Sequence, residues 1–246
     1  MPKKEVTSKM AFDEDIDRTC WMGPQDGPLS DWLAEVQPQS EPDAPKGLID
    51  IHIGADVGRV RDHTAVCCTE VRLSRDYTQH YFVTFMHRFQ LGLTWGHIVK
   101  KIVNLRDRLK ISYGGAPVSL TWAIDATGVG SGIVSMLEQA MPGETTFSIY
   151  MTSGQSERQD RYDVHIGKQA LVSMLVAALN SGTLHLPHGA SDLVEELQTY
   201  EVRTSDAGRD SYGAFKTGAH DDEATALALS LWSCQNWGMH SDKVMW

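Results

Sequence analysis

Cysteine is scarce in this chain: Cys20, Cys67, Cys68 and Cys234 are the four among 246 residues. No two of them form a CxxC pair and no spacing suggests zinc, so a reducing compartment is the simplest setting. Long apolar runs are missing as well. No stretch approaches the roughly 20 residues needed to span a bilayer, and the two lysines after Pro2 lead into no apolar segment of a signal peptide. The chain therefore reads as neither exported nor membrane-inserted. Basic residues are outnumbered, 22 Lys and Arg against 32 Asp and Glu, for a formal net charge of -10. That balance argues against a protein that coats nucleic acid over its whole surface, because phosphate contacts need clustered cations. It leaves room for an acidic metal site with basic residues gathered on one face. A GxxxxGK[ST] loop is also absent, and with it the phosphate cradle of a P-loop ATPase.

What is present suits one sizeable core, since 41% of the residues are hydrophobic. Residues 1–46 are rich in Asp, Glu, Pro, Gln and Ser and read as a tail and linker, with Trp21 and Trp32 available to dock. Residues 47–246 read as one domain. Ile49, Ile51 and Ile53 alternate with Asp50, His52 and Gly54 in a strand ending at Asp56, and two more strands are expected over 64–73 and 79–89. Thr94 is placed to cap a helix whose Ile98, Ile102, Leu105 and Leu109 share one face. Val118, Leu120, Trp122 and Ile124 then alternate into Asp125, and Gly128, Gly130 and Gly132 lead to a short helix; Gly128 and Gly130 suit positive φ. A strand over 145–151, a helix over 167–180, a hairpin of 200–204 with 212–216 around Gly208, and a last helix from Asp221 or Asp222 complete the pattern. Three neighbouring strands followed by alternating helix and strand predict an α/β fold with a mixed sheet.

Asp56 ends the first strand, Asp125 ends the fourth, and Asp222 opens the last helix. A carboxylate at the edge of an apolar element must pair, take a metal or face solvent, because burying it alone is costly. Acids from several elements suit two hard cations acting on a phosphodiester. Asp is equally at home in turns and at helix caps, so position alone does not decide.

The local wording narrows the choice. The stretches Ile53-Gly54-Ala55-Asp56-Val57-Gly58-Arg59, Ala123-Ile124-Asp125-Ala126-Thr127-Gly128 and His220-Asp221-Asp222-Glu223-Ala224-Thr225-Ala226-Leu227 resemble, in order, the three nuclease motifs of phage terminase large subunits, especially those of Mu-like phages. The resemblance covers residues 48–232. It implies a ribonuclease-H-like mixed sheet flanked by helices with a C-terminal β-hairpin insertion, and cutting of double-stranded DNA with two Mg2+ or Mn2+ ions. It also implies concatemer cleavage during genome packaging, a packaging ATPase, portal and small terminase subunit as partners, and the cytoplasm of a bacterial host. The packaging ATPase itself is missing, and Thr225 stands where related resolvases carry a second acid.

On this reading Asp56, Asp125 and Asp222 are catalytic metal ligands. Asp221 is a cap or a support for a ligand, with a place in the metal set if the two neighbouring acids divide the role. Asp62 is either a fourth metal-associated acid or a loop residue. His220 either orients a ligand or lies on the surface. Arg59 and Arg61 are expected phosphate contacts, because guanidinium groups fork onto phosphate oxygens, or else pair with the surplus of acids. Lys216 either meets the scissile phosphate or is a solvated strand-end lysine, and Arg203 with Arg209 would touch DNA from the hairpin. The rivals are an actin-like ATPase, for which the chain offers too little length and no place for the last motif; a catalytically degenerate DNA-binding or docking module; and a Holliday-junction-resolvase-like nuclease.

Overall fold

The computed structural model describes residues 49–58, 63–74, 77–113, 117–128, 130–153, 156–187, 190–204, 210–214 and 221–238, with backbone alone over 199–204 and 210–214. The tail expected over 1–46 lies outside them, as do Arg59, Arg61, Asp62, Arg209, Lys216, His220 and the hairpin turn at Gly208.

Strands β1 (Ile49–Asp56), β2 (Ala65–Leu73) and β3 (Gln79–Arg88) form an antiparallel meander. Helix α1 (Trp95–Ser112) then crosses to β4 (Val118–Asp125), which lies parallel to β1, and α2 (Gly130–Ala140) crosses to β5 (Thr145–Thr152), parallel to β4. A hairpin of β6 (Glu157–Asp160) and β7 (Asp163–Gly167) extends that side, with β7 parallel to β5. After α3 (Lys168–Asn180), β8 (Leu184–His185) joins β3 at the other edge, giving the order β6-β7-β5-β4-β1-β2-β3-β8. Helix α4 (Ser191–Thr199), a separate hairpin of β9 (Tyr200–Thr204) and β10 (Asp210–Ala214), and α5 (Asp222–Trp237) follow. The expected mixed sheet and C-terminal hairpin are both found. The β6–β7 hairpin was not foreseen, since β7 offers only Val164 and Ile166 as alternating apolar positions and the turn carries Arg161, a non-glycine at φ 55.

Helix α1 starts where Thr94 Oγ1 accepts from His97 N at 3.4 Å. Its Ile98, Ile102, Leu105 and Leu109, with Ile133 and Leu137 of α2, pack on Ile51, Ile53, Trp122 and Ile124 of the central strands. The other face carries a second core, in which Ala65, Val83, Ala123, Phe147 and Ile149 meet Leu171 and Leu175 of α3, Leu193 and Leu197 of α4, and α5. Central strands covered on both sides are buried on both faces, so the alternation in β1 separates two cores and does not separate core from solvent. Its polar set is sealed in: Asp50 is 5% exposed and His52 fully buried. Both are satisfied, with His52 Nε2 donating to Asp50 Oδ2 at 3.2 Å and Nδ1 left to accept the Ser233 hydroxyl at 2.6 Å, which ties β1 to α5.

Two backbone details set the position of the site. Helix α5 is buried from Asp222 to Cys234 and lies so close to β1 that a Cβ on Gly54 would stand 2.0 Å from the Ala226 carbonyl oxygen. In β3, the register against β2 shifts between Cys68 and Thr69, leaving Thr84 as an extra residue. Beyond that bulge the faces exchange: Val83 and Met86 share the α5 side, while Phe85 and Phe89 share the α1 side.

Candidate active site

Asp56 and Asp125 end adjacent parallel strands, one residue past the pair Ala55 and Ile124, so they emerge side by side at the carboxyl edge of the sheet. Alternation turns both toward α5, whose first residue is Asp222. Asp56 is partly exposed, whereas Asp125 and Asp222 are each 8% exposed. Burial raises the Asp56 carboxyl well above the usual range; the charges of Asp125, Asp222 and Asp221 raise it further, and only Lys168 pulls it down. The three acids singled out in the sequence are thus brought into one electrostatic unit.

Asp125 is held by its own loop. Thr127 N donates to Asp125 Oδ1 at 2.8 Å, and Thr127 Oγ1 accepts from Met151 N of β5 at 2.9 Å. Burial raises the Asp125 carboxyl, and the bonds from Thr127 and the charge of Lys168 partly offset this. Gly128 has φ 66, as the expected turn requires. Gly130 does not take positive φ; it is small because a Cβ there would stand 2.1 Å from the Asp125 carbonyl oxygen.

Asp221 occupies the N-cap position of α5, and Thr225 N donates to its carbonyl at 2.9 Å, yet its side chain makes no capping bond. The carboxylate accepts instead from Lys168 Nζ at 2.9 Å. Capping by the Asp221 side chain is therefore replaced by an ion pair across to α3. Asp222 faces Arg88, whose Nε stands 3.9 Å from Asp222 Oδ2, and the same guanidinium hydrogen-bonds Glu196 of α4. Glu196 and Glu223 both have carboxyls raised to about 7, chiefly by burial. Arg203 lies on β9 opposite Ser211.

Sequence reasoning missed Lys168, Arg88, Glu196 and Glu223. Lys168 carried a signal, since a cation as the first residue of a helix sits at the wrong end of the helix dipole and needs a partner elsewhere. Arg88 carried none, because its face is decided by the bulge.

Every side chain in the acid group offers oxygen, the donor type of hard divalent cations. Among the described residues no three His, Cys, Asp or Glu side chains form a metal site as they stand, so the fit to a cation rests on donor type. By this donor chemistry the residues fit a divalent cation.

Neither a family model nor a curated protein matches the sequence. Solved structures do. The large terminase nuclease of thermophilic phage G20c with bound cobalt matches at 23% identity, covering 78% of this chain and 82% of that one, with a TM-score of 0.51. The large terminase nuclease domain of Thermus phage P74-26 matches at 18% identity over 78% and 82%, TM-score 0.53. The manganese-soaked terminase nuclease domain of human cytomegalovirus matches at 11% identity over 84% and 93%, TM-score 0.53. The chain thus has an α/β fold of the ribonuclease-H-like class. Its particular form is that of the terminase nuclease domain, with the meander, the crossovers and α5 described above.

Proposed function

We propose that this chain is a metal-dependent DNA endonuclease of the terminase type, cutting concatemeric double-stranded DNA during genome packaging. The observation that carries the reading is that Asp56 and Asp125, at the ends of adjacent parallel strands, meet the first turn of α5 with Asp221 and Asp222. Burial, and then the charges of Asp125, Asp222 and Asp221, raise the Asp56 carboxyl, an arrangement that a divalent cation would relieve. The cobalt-bound and manganese-soaked terminase nucleases of similar fold support a divalent cation; Mg2+ or Mn2+ is the proposed working metal, with two ions as the proposed complement.

Asp56, Asp125 and Asp222 would hold the ions, and Asp221 and Asp62 are proposed as further acids of the metal set. Bound there, such ions supply an activated water and stabilise the leaving oxygen of the phosphodiester. The chain itself contributes orientation and charge balance. Thr127 fixes the Asp125 carboxylate, Lys168 offsets negative charge around Asp56 and Asp125 while restraining Asp221, and the seat of α5 on Gly54 sets how near Asp222 comes to Asp56. Arg59, Arg61, Lys216, Arg203 and Arg209 are proposed DNA contacts, and His220 a residue that orients a ligand or water. The packaging ATPase, portal and small terminase subunit are proposed partners, in the cytoplasm of a bacterial host. Among the described residues no helix is long and apolar enough to cross a membrane.

The test is cleavage of supercoiled plasmid by the pure chain with Mg2+ or Mn2+, beside Asp56→Ala. Metal-dependent nicking or linearisation lost in the variant and in EDTA is expected. Undiminished cutting in chelator, or none with either metal, would sink the reading.

A further inference from the structure

The acids at the start of α5 share the guanidinium of Arg88, and the bulge in β3 is what delivers it. Unbroken alternation from Val83 would turn Arg88 toward α1; the extra Thr84 turns it toward α5. There the grip is uneven. Arg88 Nη2 hydrogen-bonds Glu196 Oε1, while Nε stands 3.9 Å from Asp222 Oδ2 and Nη2 stands 3.9 Å from Glu223 Oε1, both beyond hydrogen-bond reach. Glu196 is itself anchored, because its Oε2 accepts from Ala224 N in the first turn of α5 at 2.8 Å. Its side chain is 5% exposed and that of Arg88 14%. A buried carboxylate is costly unless it is paired and hydrogen-bonded, as Glu196 is to Arg88 and Ala224 N, and a guanidinium so shielded closes on whichever carboxylate offers the better geometry.

From this geometry we propose that Glu196 is a positioning residue that tethers Arg88 to α4, so that the guanidinium does not settle on Asp222 and compete there with a divalent cation. The inference rests on the metal-dependent reading of the site given above. Glu196→Gln isolates the tether: the amide oxygen can still accept from Ala224 N, whereas the neutral side chain no longer holds the guanidinium. Arg88 is then drawn to Asp222.

The experiment is calorimetric titration of Mn2+ into the metal-free full chain without DNA, for the parent, Glu196→Gln, Arg88→Gln and the double variant, each checked for fold by circular dichroism. Loss of a residue that supports a metal ligand typically weakens binding by about 10- to 100-fold, and Glu196→Gln is expected in that range. Arg88→Gln is expected to bind Mn2+ at least as well as the parent. The double variant is expected to recover most of the lost affinity, since no guanidinium remains to compete; a purely structural ion pair would give no such rescue. Unchanged affinity in Glu196→Gln, or a double variant as weak as Glu196→Gln, overturns the tether while leaving the nuclease reading intact. A parent chain that binds no Mn2+ sinks both. Should Glu196→Gln fail to fold, Arg88→Gln decides, with retained or raised affinity supporting the tether and lost affinity overturning it. Unfolding of both single variants would mark the group as structural and overturn the assignment.

Discussion

Replacing Gly54 by alanine tests whether the seat of α5 on β1 sets the active site. Backbone propensity alone says the change should help, because glycine inside a strand costs roughly 0.5–1 kcal/mol relative to alanine. Packing says the opposite. The new Cβ would lie 2.0 Å from the Ala226 carbonyl oxygen and 2.5 Å from Ser230 N, whereas carbon and oxygen rest comfortably only at about 3.3 Å. Both neighbours are helix backbone, so no side chain can swing aside and α5 must retreat by roughly 1 Å. Overpacking costs about 1–3 kcal/mol, and rigid backbone on both sides puts this seam at the upper end, so the clash outweighs the propensity gain. For a domain of this size about 3 kcal/mol is a fall of roughly 6–12 °C in Tm. The same retreat carries Asp222 away from Asp56, and a misplacement of about 1 Å near a reacting centre costs on the order of 100-fold in rate. Calorimetric melting of Gly54→Ala, with plasmid cleavage measured well below its Tm, reads both effects. A variant that melts at or above the parent temperature, or that cleaves at the parent rate, refutes the reasoning.

Asp56→Asn and Asp125→Asn should each abolish metal-dependent cleavage while leaving the metal-free Tm unchanged or higher, because close carboxylates repel when no cation lies between them; a large fall in metal-free Tm would mark them as structural. Burial raises Glu196 and Glu223 from 4.5 to about 7 and raises Asp56 and Asp125 as well. The metal-free folded state therefore holds more protons than the unfolded state across that window, and this contribution to stability falls as pH rises through it. Melting without divalent metal should accordingly occur at higher temperature near about pH 5 than near about pH 8, and saturating Mn2+ should flatten the difference; a profile that rises with pH would contradict the burial argument. The chain should neither bind nor hydrolyse ATP, since no loop offers backbone N–H groups followed by a Lys and a Ser or Thr; saturable ATP binding in calorimetry, with phosphate release, would revive the actin-like rival.

The order of β1 to β5 with α1 to α3, the C-terminal hairpin, α5 and the three acids at element ends could be read from the chain alone, because period-2 and period-3.6 apolar patterns are local properties of a segment. Alternation set Asp56 on the face opposite Ile49, Ile51 and Ile53 in β1, and Asp125 on the face opposite Leu120, Trp122 and Ile124 in β4; the parallel pairing of the two strands is what makes these one face. The tertiary structure decided what alternation could not. It made β1 buried on both sides, so that Asp50 and His52 became an internal tie to Ser233. It gave Asp221 to Lys168 in place of a helix cap, and it turned Arg88 onto α5 through one extra residue at Thr84. Each of these depends on a partner far along the chain or on a shift of register against a neighbouring strand: His52 meets Ser233, Lys168 meets Asp221, and Arg88 meets Glu196. A segment's own pattern carries its periodicity but not the register of its partner, and a slip of one residue exchanges the two faces of a strand.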